Sequence, residues 1–197
     1  MKWPFFMHSP EFNNMIDGRL YDANDSYLSE LRLKSRRTCF EINKLSPDES
    51  SKKKKLLKTL LGRLGENFEI LSPFYCDYGI NIVAGNNLYI NFNCTILDCN
   101  IVSIGDNVFF GPNVQIYTAF HPLKAEERIK GPELALPVTI GDKVWLGGGV
   151  IVCQNVNIGN NTTIGAGSVV TRDIPDNVFA AGNPCRVIKK LSDSGMD

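Results

Sequence analysis

Apolar side chains recur every six residues through the C-terminal half of the chain. This spacing is not a multiple of the 3.6-residue period of an amphipathic helix, and it omits apolar side chains that the two-residue alternation of a half-buried strand would require. A six-residue period is typical of a β-helix, a prism wound from very short strands. The pattern therefore predicts a parallel β-helix and separates core positions from positions available for chemistry. The first apolar positions of the repeat are Ile140, Leu146, Val152, Ile158, Ile164 and Val170, and the second positions are Val144, Val150, Val156, Thr162 and Ser168.

The same period extends back to about Ile70. Asparagine and glycine crowd the corners between the apolar positions, and both tolerate the positive φ that a tight corner demands. Between Ile96 and Ile104 the spacing is eight residues instead of six, so this turn accommodates two additional residues. The earlier repeat positions are Ala84, Ile90, Ile96, Ile104, Phe110 and Ile116, and three of the corners are residues 85–87, 105–107 and 159–161.

The N-terminal third has helical spacing instead. Leucines recur over about residues 26–42, and residues 46–49 (SPDE) combine a capping serine with proline at the first helical position. Gly62 and Gly65 would end this second helix. We therefore expect two helices before the coils. They follow an apolar leader, residues 1–14, which packs either on the body or on a neighbouring subunit.

The six-residue pattern is interrupted by an extruded loop over about residues 117–137. A loop this long inside a regular body is usually functional or disordered. His121 lies near the start of this loop, and Pro122 restricts His121 to an extended backbone. Imidazole is the usual general base for a hydroxyl at neutral pH, although a surface or structurally bonded histidine is the alternative for His121 taken alone.

The length of 197 residues fits one domain with an appendage. We divide the chain into a leader and helical segment (1–65), a β-helix (66–187) and a tail (188–197). The net charge is zero, which gives no reason to expect a nucleic-acid or membrane partner. The six cysteines form no CxxC pair and there are two histidines, so a zinc cluster is not expected. The sequence has neither a signal peptide nor an apolar run of about 18 residues, so we expect a soluble cytoplasmic protein with reduced thiols.

Five blocks of sequence, taken in order, resemble the maltose/galactoside O-acetyltransferases. The resemblance covers about residues 16–191, and Asp77 and Cys99 favour the maltose branch over the galactoside branch. Many enzymes share the six-residue period, whereas this combination of blocks is much more specific. The blocks are residues 18–22 (GRLYD), 74–82 (FYCDYGINI), 112–122 (PNVQIYTAFHP), 140–149 (IGDKVWLGGG) and 182–190 (GNPCRVIKK).

The resemblance implies a left-handed β-helix, a homotrimer with active sites between subunits, acetyl-CoA as cosubstrate, a sugar acceptor and no metal. His121 matches the family's catalytic base, and Asn91 matches an asparagine that holds the reacting groups. Gly148 occupies the position whose backbone N–H stabilises the developing oxyanion. Positions of the acceptor site are matched by Asp22, Asp77, Tyr89 and Asp98, and those of the coenzyme groove by Trp145, Gly148, Ala166, Thr171, Arg172, Arg186 and Lys189. Cationic side chains near the C-terminal end also suit the phosphates of a coenzyme.

Other functions remain as alternatives. The same acyl chemistry could act on an antibiotic, an amino acid or a lipo-oligosaccharide. A β-helical carbonic anhydrase requires three metal-binding histidines, and this chain has two histidines in all. A non-catalytic structural or ice-binding solenoid needs a flat, repetitive exposed face, which the histidine-bearing loop interrupts.

Overall fold

The computed structural model describes residues 9–191, and the structural statements below refer to these residues. A helical segment precedes a three-sided solenoid of parallel strands, as the six-residue period predicts. The predicted β-helix is therefore confirmed. The helices are α1 (Pro10–Ile16), α2 (Ser26–Lys44), α3 (Ser50–Leu60) and α4 (Ala125–Arg128), and a 3-10 turn (Pro47–Glu49) leads into α3.

The two expected N-terminal helices are confirmed as α2 and α3. The Asp25 side chain caps α2 by accepting from the Leu28 N–H at 3.1 Å, and Ser46 forms a capping box with Glu49 ahead of α3. Helix α1 was not expected, because the leader has no clear period. It forms because Ser9 caps it and proline occupies its first position. The leader's aromatic residues before Ser9 lie outside the described residues.

Three parallel sheets form the three faces of the prism. Face one ends with β18 (Arg186–Lys190), which pairs antiparallel with β17 (Val178–Ala181), and its six other strands correspond to six turns of the solenoid. Face one contains β1 (Glu69–Ile70), β4 (Tyr89–Ile90), β7 (Phe109–Phe110), β12 (Trp145–Leu146), β15 (Thr163–Ile164), β17 (Val178–Ala181) and β18 (Arg186–Lys190). Face two contains β3 (Ile82–Ala84), β6 (Val102–Ile104), β11 (Val138–Ile140) and β14 (Asn157–Ile158). Face three contains β2 (Phe74–Cys76), β5 (Cys94–Leu97), β8 (Gln115–Tyr117), β13 (Ile151–Val152) and β16 (Val169–Val170).

Every predicted repeat position is buried in one continuous core. The register stacks equivalent side chains on one another from coil to coil, so each coil covers the apolar side chains of its neighbour. Thr162 and Ser168, the two polar repeat positions, are buried and hydrogen-bonded. The column on face three runs Cys76, Ile96, Ile116, Val152 and Val170, so a cysteine here serves as a small hydrophobe.

The corners use asparagine and glycine for different purposes. Asparagine takes the left-handed backbone, for example at Asn87 (φ 57°), Asn107 (φ 59°) and Asn161 (φ 51°). Glycine permits close stacking, because a Cβ on Gly105 would lie 2.3 Å from the Asp142 carboxylate of the next coil. The expectation that these residues supply the tight corners is confirmed.

The corner between faces three and two is enlarged in three successive coils. Across this corner the spacing between core positions is eight residues instead of six, from Cys76 to Ala84 and from Ile96 to Ile104. In the third coil the extruded loop follows Ile116. The loop is ordered as a hairpin of β9 (Ala119–Phe120) and β10 (Leu134–Ala135), with α4 at its tip. Helix α1 packs against this corner in a second apolar cluster, which contains Phe12, Met15, Tyr21, Leu28, Tyr78, Cys99 and Ala135.

Both ends of the prism are covered. The buried side of α2 and α3 packs against the first coil, and β18 lies along the last strand of face one. Residues 182–185 continue the pairing of face three beyond β16. Within residues 9–191, no helix combines the length and the apolar character that a membrane span requires.

Candidate functional site

The enlarged corner contains a cavity of about 480 Å³. Its wall combines aromatic and apolar side chains with a small number of polar groups, which is typical of a small-molecule site. His121 follows β9 and is exposed at the cavity, so the structure places the predicted base beside a space for a substrate. The cavity is lined by Asp77, Leu97, Cys99, Tyr117, Ala119, Phe120, His121, Glu133 and Gln154.

Glu133 lies across the hairpin from His121. The antiparallel register pairs Leu134 with Phe120 and Ala135 with Ala119, and His121 and Glu133 follow and precede these pairs at the same end of the hairpin. Both side chains line the same cavity. The Tyr21 hydroxyl donates to Glu133 Oε2 at 2.8 Å, which holds the Glu133 carboxylate in the cavity wall.

Asp77 provides a second carboxylate in the cavity wall. The Cys99 thiol donates to Asp77 Oδ2 at 3.5 Å. Burial raises the pKa of Asp77, although this hydrogen bond and the positive charges of Arg36 and Arg32 oppose the shift. Because Asp77 lines the cavity, its carboxyl group can form a hydrogen bond with a hydroxyl group bound there.

Asp98 lies behind the cavity wall and is fully buried. Its carboxylate accepts from the Tyr78 N–H at 2.8 Å and from the Asn81 N–H at 3.3 Å. Burial, reinforced by the negative charge of Asp77, raises the pKa of Asp98 to about 8. Asp98 therefore supports the loops of the enlarged corner from within.

The raised pKa of Asp98 predicts a specific pH dependence of stability. Between about pH 4, the ordinary value, and about pH 8, the folded protein holds a proton that the unfolded chain has released. The free energy of unfolding therefore falls with rising pH in this window, by up to about 1.4 kcal/mol per pH unit for one proton. Asp98→Asn should remove this slope in urea titrations at several pH values.

The control for this measurement is Asp48→Asn, since Asp48 is exposed on the 3-10 turn. This variant should retain the wild-type slope. A slope that is unchanged in Asp98→Asn would show that the buried carboxylate does not bind the proton.

A second group of predicted residues lies at the corner between faces one and three. Tyr89, Phe109 and Trp145 stack in register on the outside of face one, and Phe109 and Trp145 are 50% and 55% exposed. Together with Asn91 they line a cavity of about 400 Å³. This exposed aromatic row next to a polar side chain is the second candidate binding surface.

The same corner offers a backbone donor. Phe92, Pro112, Gly148 and Ala166 stack at equivalent positions of successive coils. The Phe92 N–H donates to Asn91 Oδ1 at 2.8 Å, and proline has no N–H. In the described part of the chain the Gly148 N–H has no backbone acceptor, so it can bind a ligand oxygen.

The remaining predicted coenzyme residues lie on the last coils. Arg186 and Lys189 belong to the exposed strand β18, and Lys189 pairs in register with Phe179 beside the aromatic row of face one. Thr171 and Arg172 are exposed after β16, at the corner between faces three and two. The basic side chains are therefore divided between two edges of the prism.

Within one chain, the His121 cavity and the corner that carries Asn91 and Gly148 lie apart. Gly148 lies at one edge of face three and Gln154, which lines the His121 cavity, lies at the other. Six residues separate them, a path of about 20 Å at about 3.3 Å per residue. Asp22 lies outside the cavity lining, one residue from Tyr21, and its backbone N–H donates to Glu11.

Sequence reasoning missed Glu133 and Gln154 as members of the cavity, and it missed Tyr21 as the residue that donates to Glu133. Glu133 is one of several charged residues in the loop, and nothing in the sequence pattern reveals the hairpin that places it opposite His121. Across residues 9–191, no group of three or more His, Cys, Asp or Glu side chains is arranged to hold a metal ion.

Two family models match the chain. The maltose acetyltransferase hexapeptide capping motif matches residues 14–65, which contain α2 and α3. The bacterial transferase hexapeptide model, with six repeats, matches residues 137–172. The two matches correspond to the helical segment and to the later coils of the solenoid.

The chain is similar to known acetyltransferases, and the similarity covers nearly the whole length of both chains. The galactoside O-acetyltransferase of Escherichia coli is 43% identical over 187 residues, covering 95% of this chain and 92% of the relative. The crystal structure of a maltose O-acetyltransferase from Clostridium difficile has a TM-score of 0.93 and 46% identity, covering 94% of this chain and 99% of that one. A galactoside acetyltransferase solved with coenzyme A has a TM-score of 0.91 and 42% identity, covering 94% and 93%.

Proposed function

Since the chain belongs to the maltose/galactoside O-acetyltransferase family, we propose that it transfers the acetyl group of acetyl-CoA to a hydroxyl group of a sugar. The observation that carries the proposal is the position of His121, which is exposed at a cavity that contains the carboxylates of Asp77 and Glu133. A base beside hydrogen-bond acceptors suits a substrate rich in hydroxyl groups.

The proposed reaction is a direct transfer. His121 takes the proton of the acceptor hydroxyl as its oxygen attacks the thioester carbon. A tetrahedral intermediate forms, and its collapse breaks the carbon–sulfur bond. The coenzyme A thiolate leaves and takes up the proton that His121 carries, so the imidazole returns to its starting state. No covalent acetyl-enzyme is needed.

The oxyanion of this intermediate requires a donor, and we propose the Gly148 N–H for this role. Its lack of a backbone acceptor within residues 9–191 supports the assignment. Losing such a donor typically costs about 10²–10³ in rate. Asn91, at the same corner, is proposed to hold the reacting groups.

We further propose that the active site forms between neighbouring subunits of a homotrimer. A full face of the prism separates Gly148 from the His121 cavity on one chain. The corner of a second chain can supply Asn91 and Gly148 opposite the first chain's imidazole. The exposed aromatic row on face one supports this view, because large exposed apolar side chains mark surfaces that bind partners or ligands.

The coenzyme groove is proposed to be formed by the residues that the sequence predicts for it. Trp145 offers an exposed ring to the pantetheine arm or the adenine base, and Ala166 offers a backbone N–H next to the groove. Arg172, Arg186 and Lys189 are proposed to bind the phosphates, for which arginine provides planar, charge-assisted hydrogen bonds. The acceptor is proposed to contact Asp77, with Asp22 and Tyr89 as the further predicted members of the acceptor site. Asp98, which is fully buried, is proposed to support this site from behind without touching the sugar.

Glu133 is proposed as the positioning residue for His121. A carboxylate hydrogen-bonded to one imidazole nitrogen fixes the ring orientation and stabilises the protonated ring, as in other histidine bases. Tyr21 in turn fixes Glu133 through the 2.8 Å hydrogen bond. We expect Glu133→Gln to lower kcat about tenfold or more, with little change in the KM for acetyl-CoA.

A purely structural role for Glu133 would lower the melting temperature together with the rate, whereas a positioning role lowers kcat alone. Tyr21→Phe keeps the carboxylate but removes the hydrogen bond that holds it, so a smaller loss of kcat is expected. An unchanged kcat in Glu133→Gln would exclude the positioning role.

The function itself is tested by acetyl transfer to a panel of acceptors. The panel contains mono- and disaccharides together with an antibiotic, an amino acid and a lipo-oligosaccharide. The sugars should have the highest kcat/KM, whereas a preference for another hydroxyl would replace the acceptor and leave the acyl chemistry intact. Calorimetry should detect coenzyme A binding, and its absence would favour a non-catalytic solenoid.

A further inference from the structure

Two of the six cysteines lie in contact with each other. Cys39 is on the buried side of α2, and Cys76 ends β2 in the first coil. Their sulfur atoms are 3.8 Å apart. All six cysteines are free thiols, and the acetyl-transfer reaction proposed above does not use this pair.

The surroundings make the two thiols unequal. The Ser35 hydroxyl lies 3.4 Å from Cys76 Sγ and also donates to the Cys76 carbonyl oxygen at 3.3 Å. The hydrogen bond with Cys76 lowers the pKa of Cys39, whereas hydrogen bonding to Cys39 and burial raise the pKa of Cys76. Cys39 is therefore the thiol of the pair that ionises more readily, and the thiolate is the reactive form.

A cavity leads to the pair from the surface. It has a volume of about 400 Å³, and both cysteines contribute to its wall. Arg36 and Lys44 also line it, which places positive charge where a thiolate forms. The exposed rings of Phe40 and Tyr75 flank the cavity, so the sulfur atoms are buried but lie next to a space that admits a small molecule.

We propose that Cys39 and Cys76 form an oxidation site at which a peroxide converts the two thiols into a disulfide that links α2 to the first coil. The Cys39 thiolate attacks one peroxide oxygen, a sulfur–oxygen bond forms and the oxygen–oxygen bond breaks. With hydrogen peroxide the leaving hydroxide takes up a proton as water, and Cys39 becomes a sulfenic acid.

Cys76 resolves this intermediate. Its sulfur attacks the Cys39 sulfur, the sulfur–sulfur bond forms and the sulfur–oxygen bond breaks. The departing hydroxide takes the Cys76 proton as a second water. Two thiols have then lost two electrons, and one peroxide has been reduced to two waters. The sulfur atoms must approach from 3.8 Å to about 2.05 Å, which a rotation about Cα–Cβ and a small shift of α2 can supply.

The test uses the full-length protein, reduced and freed of reductant, then treated with hydrogen peroxide and with an alkylating agent. Peptide mass mapping without reduction should show the Cys39 and Cys76 peptides joined, lighter by two hydrogens than the two free peptides. Dithiothreitol should restore both thiols. Cys39→Ser and Cys76→Ser should each lose the linked species, while Cys153→Ser, at a half-exposed unpaired cysteine, should retain it.

Three outcomes would overturn the proposal. The first is a wild-type map in which both thiols are alkylated after peroxide treatment. The second is over-oxidation of Cys39 to a sulfinic acid without any linked peptide, which would show that Cys76 does not resolve the intermediate. The third is a wild-type map in which Cys39 or Cys76 is joined to a different cysteine instead. None of these outcomes depends on whether the protein acetylates a sugar.

Discussion

Replacing His121 with alanine should lower the rate of acetyl transfer by about 10²–10⁴, the usual contribution of general base catalysis. His121 is exposed at the end of β9, and in the described part of the chain it makes no hydrogen bond on which the fold depends. Coenzyme binding and the melting temperature should therefore remain at their wild-type values. Steady-state kinetics with saturating acetyl-CoA measure the loss, and calorimetry measures coenzyme binding.

The matched control is His8→Ala, which removes the chain's other histidine. This variant should keep full activity, because no sequence block that carries the family resemblance contains residue 8. A His121→Ala enzyme with near-normal kcat would reject the imidazole as base. Loss of coenzyme binding together with activity would instead assign His121 to the donor site.

Replacing Ile158 with aspartate should destabilise the protein by several kcal/mol. Ile158 is 2% exposed and stacks on Ile140 of the preceding coil. The new carboxylate would enter the apolar core without a partner, and a buried polar or charged group without hydrogen bonds is among the most costly changes in a protein. Urea denaturation followed by circular dichroism measures the loss.

Ile158→Val separates the effect of charge from the effect of volume. It removes one methyl-sized group from the same position and should cost about 1 kcal/mol. A cost for Ile158→Asp that resembles that of Ile158→Val would mean that the aspartate side chain reaches water, and that this column is less tightly enclosed than its burial indicates.

The core was predictable because the solenoid imposes its geometry on every coil. A six-residue period moves each apolar side chain to the next face of the prism, and after three repeats the chain returns above its starting point, as Ile158 lies above Ile140. One repeat therefore predicts the position of the next. The corner residues follow for the same reason, since asparagine at Asn87, Asn107 and Asn161 meets one backbone requirement three times. Helix α1 has no such repetition, and its cap at Ser9 precedes a helix of only seven residues.

The candidate site was predictable only where a residue has distinctive chemistry or matches a family position. His121 satisfies both conditions. Glu133 satisfies neither, since its place in the cavity depends on the β9–β10 hairpin, which brings it into the same lining as His121. The contact between Cys39 and Cys76 likewise results from α2 packing against β2, an arrangement that neither segment specifies on its own.

The covered ends of the prism have a further consequence. A parallel coil presents unpaired backbone groups at its last strand, and an open end of this kind is a template for end-to-end polymerisation into fibres. Here α2 and α3 close one end, and the antiparallel strand β18, rich in arginine and lysine, closes the last strand of face one. The covered ends therefore keep the six turns of one chain from pairing end to end with those of another.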